Sequence, residues 1–355
     1  MIFPRLWHHR QTGMAVVVLV LSLACPRAWG AAPYDLVDLG AHAHIVRLDV
    51  TNGVLTAIGR LNDQAVLLRQ GQPPHLLGFL PDGSFSAALG SYQEAVVGAS
   101  STGHLGLATH AFLVTGGVLV DLGTLGEATL FSSATGLNTT TIVGSCSTPE
   151  NVTVPCVWPR RGGPPQELPT LGGTTPAFLG GIVAINSQGA MVGTSQTPAG
   201  DFHATLWPAN GSAPVDLTPG TGFDSQALSI NEAGVIVGES QQRAFRWACS
   251  GTSCTVTDLG RFAGDQATSL QGVNDGDLSV GVSELASPSA FAPHRAIRVR
   301  GTTLEDLATL VDLPPGWALD TATAVSNSGV IAGDGFLNGE PHGWLLVPKK
   351  AAKQN

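Results

Sequence analysis

One pattern of apolar and polar positions recurs along the chain. A run of small and aliphatic residues is followed by a turn of the form Asn-x-x-Gly and then by a second apolar run, which often ends in Val-Gly-x-Ser. The pattern is clearest at 184–195, 229–240 and 324–335, with weaker copies at 49–59, 89–100, 136–146 and 272–283. A near-regular period of this length is typical of a repeat array or a propeller.

Most copies contain four strand-like runs joined by turns. In the copy that begins at 181 the runs cover 181–187, 190–195, 203–208 and 214–219. Asn and Gly between the runs tolerate the positive φ that tight hairpins need. The first run is rich in Ala, Ser and Gly, which suits a crowded innermost strand, and the third carries Phe and Trp, which suit layers where sheets pack face to face. This order predicts four-stranded antiparallel propeller blades.

The last copy has only three runs, and the fourth is found near the start of the chain. Positions 34–40, YDLVDLG, match the fourth runs VLVDLG and TVTDLG. We therefore predict an all-β, seven-bladed β-propeller whose last blade is closed by the N-terminal strand. An open solenoid would need polar caps at both ends, and the sequence offers none. A β-helix is the weaker alternative, because its coils are usually shorter.

The first thirty residues have the features of a secretory signal peptide. Arg5 and Arg10 precede the apolar stretch 14–24, which is too short to span a bilayer, and small residues stand at 28 and 30. We predict cleavage before Ala31 and a secreted protein, extracellular or periplasmic. Lipoprotein anchoring at Cys25 is the alternative. The remaining chain is predicted to form a single propeller domain over 31–348, followed by a polar tail at 349–355.

Charge excludes some partners. The formal net charge is −9, and loss of the three arginines of the signal peptide would take it to about −12. Such a surface does not suit nucleic acid or anionic lipid. We expect no membrane span, no cofactor and a monomer.

Four cysteines remain after the predicted cleavage, an even number that suits an oxidising compartment. Three pairings are possible, and we favour the local ones, Cys146 with Cys156 and Cys249 with Cys254, because each pair brackets a predicted hairpin connection. Free buried thiols are the alternative. No metal site is predicted, since neither a Cys-x-x-Cys nor a His-x-x-x-His spacing is present.

The loops that join the second and third runs vary most between copies, and variable loops on a rigid scaffold commonly carry binding sites. We take the face that carries them as the candidate ligand-binding face. Four histidines stand at the start of the third runs and are candidate binding residues, although a repeated structural histidine explains them as well: His110, His203, His294 and His342. In this arrangement they lie too far from the axis to share one ion.

Acidic residues at or after the second runs are further candidates: Glu239, Glu284 and Asp334. Two of them at one mouth could bind a cation or act as an acid and a base, but solvated loop acids are the plainer interpretation. The segment 274–277, NDGD, is similar to part of a calcium loop, yet it occupies the Asn-x-x-Gly turn of its copy, so turn chemistry accounts for it.

The third-run sequence His110-Ala111-Phe112-Leu113, with DLGTLG at 121–126, resembles the HAF-repeat family of secreted bacterial proteins. Degenerate copies at 203–207, 244–247 and 342–346 extend the resemblance over nearly all of the mature chain. It implies an extracellular repeat protein and supplies no catalytic residue.

Three functions are therefore expected from the sequence. The first is a non-catalytic binding or scaffold module that uses its loop face, with an envelope glycan or a protein as ligand. The second is a polysaccharide hydrolase or lyase with acids on that face. The third is a purely structural surface protein. No G-x-S-x-G elbow, Walker loop or H-E-x-x-H helix is present to favour the enzyme.

Overall fold

The strands of this computed structural model form seven antiparallel sheets of four strands each, arranged in a ring. The structure describes residues 32–349 apart from 52, 104–107, 127–130, 175–177, 179 and 287–292. The predicted seven-bladed β-propeller is therefore confirmed. The predicted signal peptide and almost all of the polar tail lie outside the described residues. Within the described part no helix is long and apolar enough to cross a bilayer.

We number the blades 1 to 7 along the chain and give their strands from the axis outward. Blade 1 contains β2 Ala43–Thr51, β3 Val54–Leu61, β4 Gln64–Arg69 and β5 His75–Leu76, and blade 2 contains β6 Ser86–Tyr92, β7 Ala95–Thr102, β8 Ala108–Thr115 and β9 Val118–Asp121. Blade 3 contains β10 Ser132–Leu137, β11 Thr141–Ser147, β12 Thr153–Pro159 and β13 Gln166–Glu167, and blade 4 contains β14 Gly180–Ile185, β15 Met191–Gln196, β16 Phe202–Trp207 and β17 Val215–Asp216.

Blade 5 contains β18 Ser225–Ile230, β19 Val235–Ser240, β20 Arg243–Ser250 and β21 Ser253–Gly260, and blade 6 contains β22 Asp265–Val273, β23 Leu278–Leu285, β24 His294–Arg300 and β25 Thr303–Asp306. Blade 7 contains β26 Trp317–Val325, β27 Ile331–Leu337, β28 Glu340–Pro348 and, as the outermost strand, β1 Tyr34–Ala41. A short 3₁₀ helix, Leu307–Leu310, follows β25.

The N-terminal strand closes the ring, as the sequence predicted. Strand β1 pairs antiparallel with β28 from Tyr34 opposite Pro348 to Ala41 opposite His342. The second strand of every blade packs against the first strand of the next, and β27 of blade 7 packs in the same way against β2 of blade 1. Closure gives blade 7 its fourth strand and covers the outer edge of β28, which would otherwise be unpaired.

Every innermost strand has a β-bulge at the same place, and the bulge explains the glycine of Val-Gly-x-Ser. The pairing register skips one residue in each: Val46, Leu89, Thr135, Val183, Leu228, Gln271 and Thr323. The glycine lies beside the bulge on the second strand. A Cβ at Gly238 would approach the Gln226 carbonyl oxygen to 1.9 Å, and the other six glycines face equally close carbonyl groups. Only glycine fits there.

The hydrophobic core consists of clusters that lie between adjacent blades. The large side chains of the third strands fill them, as predicted; Phe112, Trp158, Trp247 and Trp344 are fully buried. The cluster between blades 7 and 1 joins Leu39 and Leu345 to Ile45. Because each blade contributes to two clusters, the stability of one blade depends on both neighbours.

Asparagines in the turn after the innermost strand link one blade to the next. The Nδ2 group of Asn186 donates to the carbonyl oxygen of Asn231, that of Asn231 to Asn274, and that of Asn274 to Ser326, at 2.9–3.2 Å. The Asn231 and Asn274 Oδ1 atoms accept backbone N–H groups of their own turns. The Asn-x-x-Gly pattern thus marks both a tight turn and a buried contact between blades.

Both predicted disulfides are present. Cys146 of β11 is bonded to Cys156 of β12, and Cys249 of β20 is bonded to Cys254 of β21. Each bond joins two neighbouring strands of one blade across a hairpin connection, so the local pairing is confirmed.

The bulge geometry predicts that Gly238→Ala destabilises the protein. The new methyl group must displace a backbone carbonyl, which costs about 1–3 kcal/mol or more. Gly276→Ala is the matched control, because its nearest contact would be an ordinary 3.4 Å. Urea unfolding followed by tryptophan fluorescence measures both variants, and equal midpoints for the two would contradict the account.

Candidate functional site

The histidines at the start of the third strands are held by aspartates of the fourth strands. Nδ1 of His110 lies 2.8 Å from Asp121, and Nδ1 of His203 lies 2.8 Å from Asp216. Both histidine side chains are buried. His342 makes the same 2.8 Å contact with Asp38 of β1. Three of the four candidate histidines therefore connect strands within a blade.

Arginine replaces histidine at the same position in two other blades. Arg243 bonds Asp258 in blade 5, and Arg295 bonds Asp306 in blade 6. In all five blades the same aspartate also accepts the backbone N–H two residues further on. The aspartate of this recurring fourth-strand motif thus contacts the histidine or arginine of the third strand and also fixes the turn that follows.

His294 differs from the other three candidate histidines. It lies one residue before the equivalent position, which Arg295 occupies, and it is partly exposed. Its Nδ1 atom lies 3.3 Å from Asp320, on β26 of the next blade. Like the other three, His294 lies at the start of a third strand, as predicted, and only the pairing of the strands reveals the offset of one residue.

Two of the acidic candidates occupy one equivalent position. Glu239 and Asp334 each follow the close-packed glycine of a second strand, and each contacts the innermost strand of the next blade. Glu239 is hydrogen-bonded to Ser269, and burial raises the pKa of the Glu239 carboxyl against the opposing effect of that hydrogen bond. Asp334 lies 2.5 Å from Nδ1 of His44.

Glu284 lies elsewhere in its blade. It pairs in register with Ala267 and His294 near the end of β23. Across the part of the chain that the structure describes, no three His, Cys, Asp or Glu side chains are placed to hold a metal ion. The three acids come from blades 5, 6 and 7, and Asp334 lines a groove together with other titratable groups.

That groove lies at the junction of blades 7 and 1, and we call it the seam groove. It has a volume of about 470 Å³ and opens on the face that carries the loops between the second and third strands of each blade. Its polar lining comes from the β1–β2 connection and from both blades: His42, His44, Arg60, Asn62, Asp63, Asp334 and His342. Parts of two loops on this face, 104–107 and 287–292, lie outside the described residues.

Polar contacts orient the side chains of the seam groove. The His44–Asp334 pair is partly exposed on both sides, so the ring of His44 is accessible from the groove. Arg60 lies 3.8 Å from Asp63 and over the ring of Phe85. The ring of His342 meets the edge of Trp317. The groove therefore presents both hydrogen-bond donors and hydrogen-bond acceptors on rigid strands.

Sequence reasoning found Asp334 and His342 but missed His42, His44 and Arg60. These residues are about 290 positions away from blade 7 along the chain, and ring closure alone brings them together. A signal for the structural histidines was present, because Asp-Leu-Gly recurs in phase with the His-Ala-Phe tripeptide.

The partly buried carboxyl of Glu239 gives a pH prediction. Since its pKa in the folded protein is raised above 4.5, the folded state binds a proton more readily than the unfolded chain above that pH. The free energy of unfolding therefore falls as the pH rises through this window. We expect Glu239→Gln to be more stable than the wild type at pH 7, with the difference shrinking at pH 4.

Denaturant unfolding at the two pH values measures this difference. Glu94→Gln, at an exposed turn, is the control for the general loss of one negative charge. A gain from Glu239→Gln that is the same at pH 4 and pH 7 would argue against a buried carboxylate.

Comparisons with known proteins reveal the fold. A scan against protein families and a search of curated proteins found no match. A puromycin-hydrolysing peptidase from Mycobacterium tuberculosis aligns with a TM-score of 0.54 and 12% identity, over 90% of this chain and 55% of that chain. A chain of the mitotic checkpoint complex aligns with a TM-score of 0.50 and 12% identity, over 92% and 98%.

Virginiamycin B lyase from Staphylococcus aureus aligns with a TM-score of 0.46 and 10% identity, over 88% of this chain and 99% of that chain. This chain spans about half the length of the peptidase. At such identities the first two likenesses support the fold and leave the activity open.

Proposed function

We propose that this protein is a secreted, non-catalytic recognition module of the HAF-repeat kind that binds its ligand in the seam groove. The observation that carries the proposal is the grouping of seven polar side chains from two blades and the connection between them around one groove of about 470 Å³. That volume is in the range of small-ligand sites. The loop that joins the second and third strands of blade 1 forms part of its wall, with Asn62 and Asp63.

The lining of the seam groove favours a glycan over a protein as ligand. Histidine, arginine, asparagine and aspartate side chains offer donors and acceptors that suit closely spaced hydroxyl groups. Protein interfaces depend on large apolar or aromatic anchors in desolvated pockets, and such anchors are few in this lining. An envelope polysaccharide of neutral or weakly acidic sugars fits this chemistry best.

Several features support an extracellular location for this role. The two disulfides are typical of an oxidising compartment, and the predicted signal peptide would deliver the chain there. The acidic surface disfavours nucleic acid as a partner. A rigid ring with pre-formed strands lets the protein bind without ordering its own backbone.

A polysaccharide lyase or hydrolase is the second candidate, and the His44–Asp334 pair favours it. A carboxylate on Nδ1 orients an imidazole so that its other nitrogen can take a proton, as a general base requires. Arg60, in the same groove, could neutralise the carboxylate of a uronic acid. However, Asp63 and Asp334 each contact a basic side chain, so the groove offers no obvious pair of acid and base carboxylates.

The test begins with the purified protein on an array of envelope glycans. Glycans that bind are then titrated by calorimetry into the wild type and into His44→Ala/Arg60→Ala. We expect the double variant to bind at least about tenfold more weakly, because charged hydrogen bonds contribute about 1.5–3 kcal/mol each. His75→Ala, on the outermost strand of blade 1, is the matched control and should bind as the wild type does.

The outcomes separate the candidate functions. Binding without product release supports the recognition module, whereas turnover of the bound glycan that is lost in Asp334→Asn supports the enzyme. Binding that survives the double variant would contradict the seam groove as the site. Failure of every glycan to bind would contradict the glycan proposal and favour a structural role.

A further inference from the structure

The innermost strand of blade 1 has an arginine where every other blade has a small residue. The position directly after the bulge holds Gly90, Gly136, Ala184, Ser229, Gly272 and Ala324 in blades 2 to 7. In blade 1 it holds Arg47. The repeat therefore does not require a cation here, and this one departure calls for a separate explanation.

Arg47 extends across the axial channel. Its Nη2 atom donates to the carbonyl oxygen of Val183 at 3.1 Å, and Val183 is the bulged residue of β14 in blade 4. Blade 4 lies on the far side of the ring from blade 1. The guanidinium thus stands in the channel between opposite innermost strands.

The guanidinium has no carboxylate partner among the described residues. The ion pairs of this part of the chain do not include Arg47, and the Val183 carbonyl is its one hydrogen-bond partner there. An arginine has five N–H donors, so most of them remain for another acceptor. Burial lowers the pKa of Arg47.

A cavity of about 190 Å³, which we call the axial cavity, lies beside Arg47. It opens on the face of the Asn-x-x-Gly turns, opposite the face that carries the seam groove. Its walls are the inner strands and turns of blades 5, 6, 7 and 1. The volume admits a molecule of only a few heavy atoms. A buried cation beside an accessible cavity is stabilised when an anion binds there.

The rim of this cavity has the opposite charge. Glu232 and Asp275 lie on exposed turns at its mouth, and Asp49 lies on the wall near Arg47. The carboxylate of Glu232 accepts from Ser187, and that of Asp275 accepts from the backbone N–H of Glu232. These acids are held in place and make the entrance unfavourable for a ligand of high negative charge.

We propose that the axial cavity binds a small monocarboxylate, whose carboxylate group is held by Arg47 and whose neutral or cationic end faces the acidic rim. A zwitterionic amino acid fits both charges, and a planar carboxylate matches the two-pronged donor geometry of a guanidinium. A phosphate dianion fits the guanidinium but is opposed by the rim. The site is independent of the seam groove.

The test is a calorimetric titration of the purified protein in a chloride-containing Tris buffer at constant ionic strength. Glycine and sodium acetate are the carboxylate probes, and sodium phosphate is the comparison. We expect saturable carboxylate binding, with glycine the tightest and phosphate the weakest. Arg47→Gln should weaken glycine binding at least about tenfold, because a charged bidentate contact is lost. Arg300→Gln, an exposed arginine, should bind as the wild type does.

Arg47→Lys covers the case in which Arg47→Gln does not fold. Lysine keeps the charge and loses the two-pronged geometry, so it should bind glycine more weakly while circular dichroism stays unchanged. The proposal is overturned if Arg47→Lys binds glycine as tightly as the wild type, if phosphate binds better than glycine, or if no carboxylate binds saturably. The last result would leave Arg47 as a brace across the channel.

Discussion

The pairing of β1 with β28 is the contact on which the rest of this structure depends. It joins the two ends of the chain in one sheet, from Tyr34 opposite Pro348 to Ala41 opposite His342. The hydrophobic cluster between blades 7 and 1 contains Leu39 of β1 and Ile45 of β2, so it forms only in the closed ring. Tyr34 adds a second link, because its hydroxyl accepts a hydrogen bond from buried Arg298 of blade 6. Closure therefore converts seven pairwise packed blades into one cooperative unit.

The repeat builds the scaffold, and the departures from the repeat supply the chemistry. Bulges, close-packed glycines and base–aspartate pairs recur from blade to blade and hold strands together. The positions of Asp334 and His44 are held by Glu239 and Ser269 in blades 5 and 6. At the junction of blades 7 and 1 these two positions form an imidazole–carboxylate pair instead. Arg47 likewise replaces a small residue. Natural sequences commonly break their local rules at functional sites.

Much of the fold could be predicted because it depends on short-range patterns. Four runs per copy gave the blade, the missing fourth run gave the closure by 34–40, and local spacing gave both disulfides. The partner of the third-strand histidines was missed, although Asp121 and Asp216 recur in phase with His110 and His203. His294 lies at the start of a third strand, as predicted, but the pairing of the strands shows that Arg295 holds the position equivalent to His110 and His203.

The seam groove and the axial cavity could not be predicted in the same way. His44 and Asp334 lie on strands that meet only when the ring closes, and no local pattern records that contact. Arg47 looks like an ordinary strand residue until its position after the bulge is known. Chemistry that arises from contacts between distant segments needs the three-dimensional arrangement.

Amide hydrogen exchange of β1, followed by mass spectrometry of peptides that cover Tyr34–Ala41, tests the central claim of a closed ring most directly. If β1 is an integral strand, those of its amides that donate to β28 should exchange as slowly as the amides of β27 and only through global unfolding. Rapid exchange in β1 with protection elsewhere would show that the N-terminal strand frays, and it would contradict both the closure and the seam groove that depends on it.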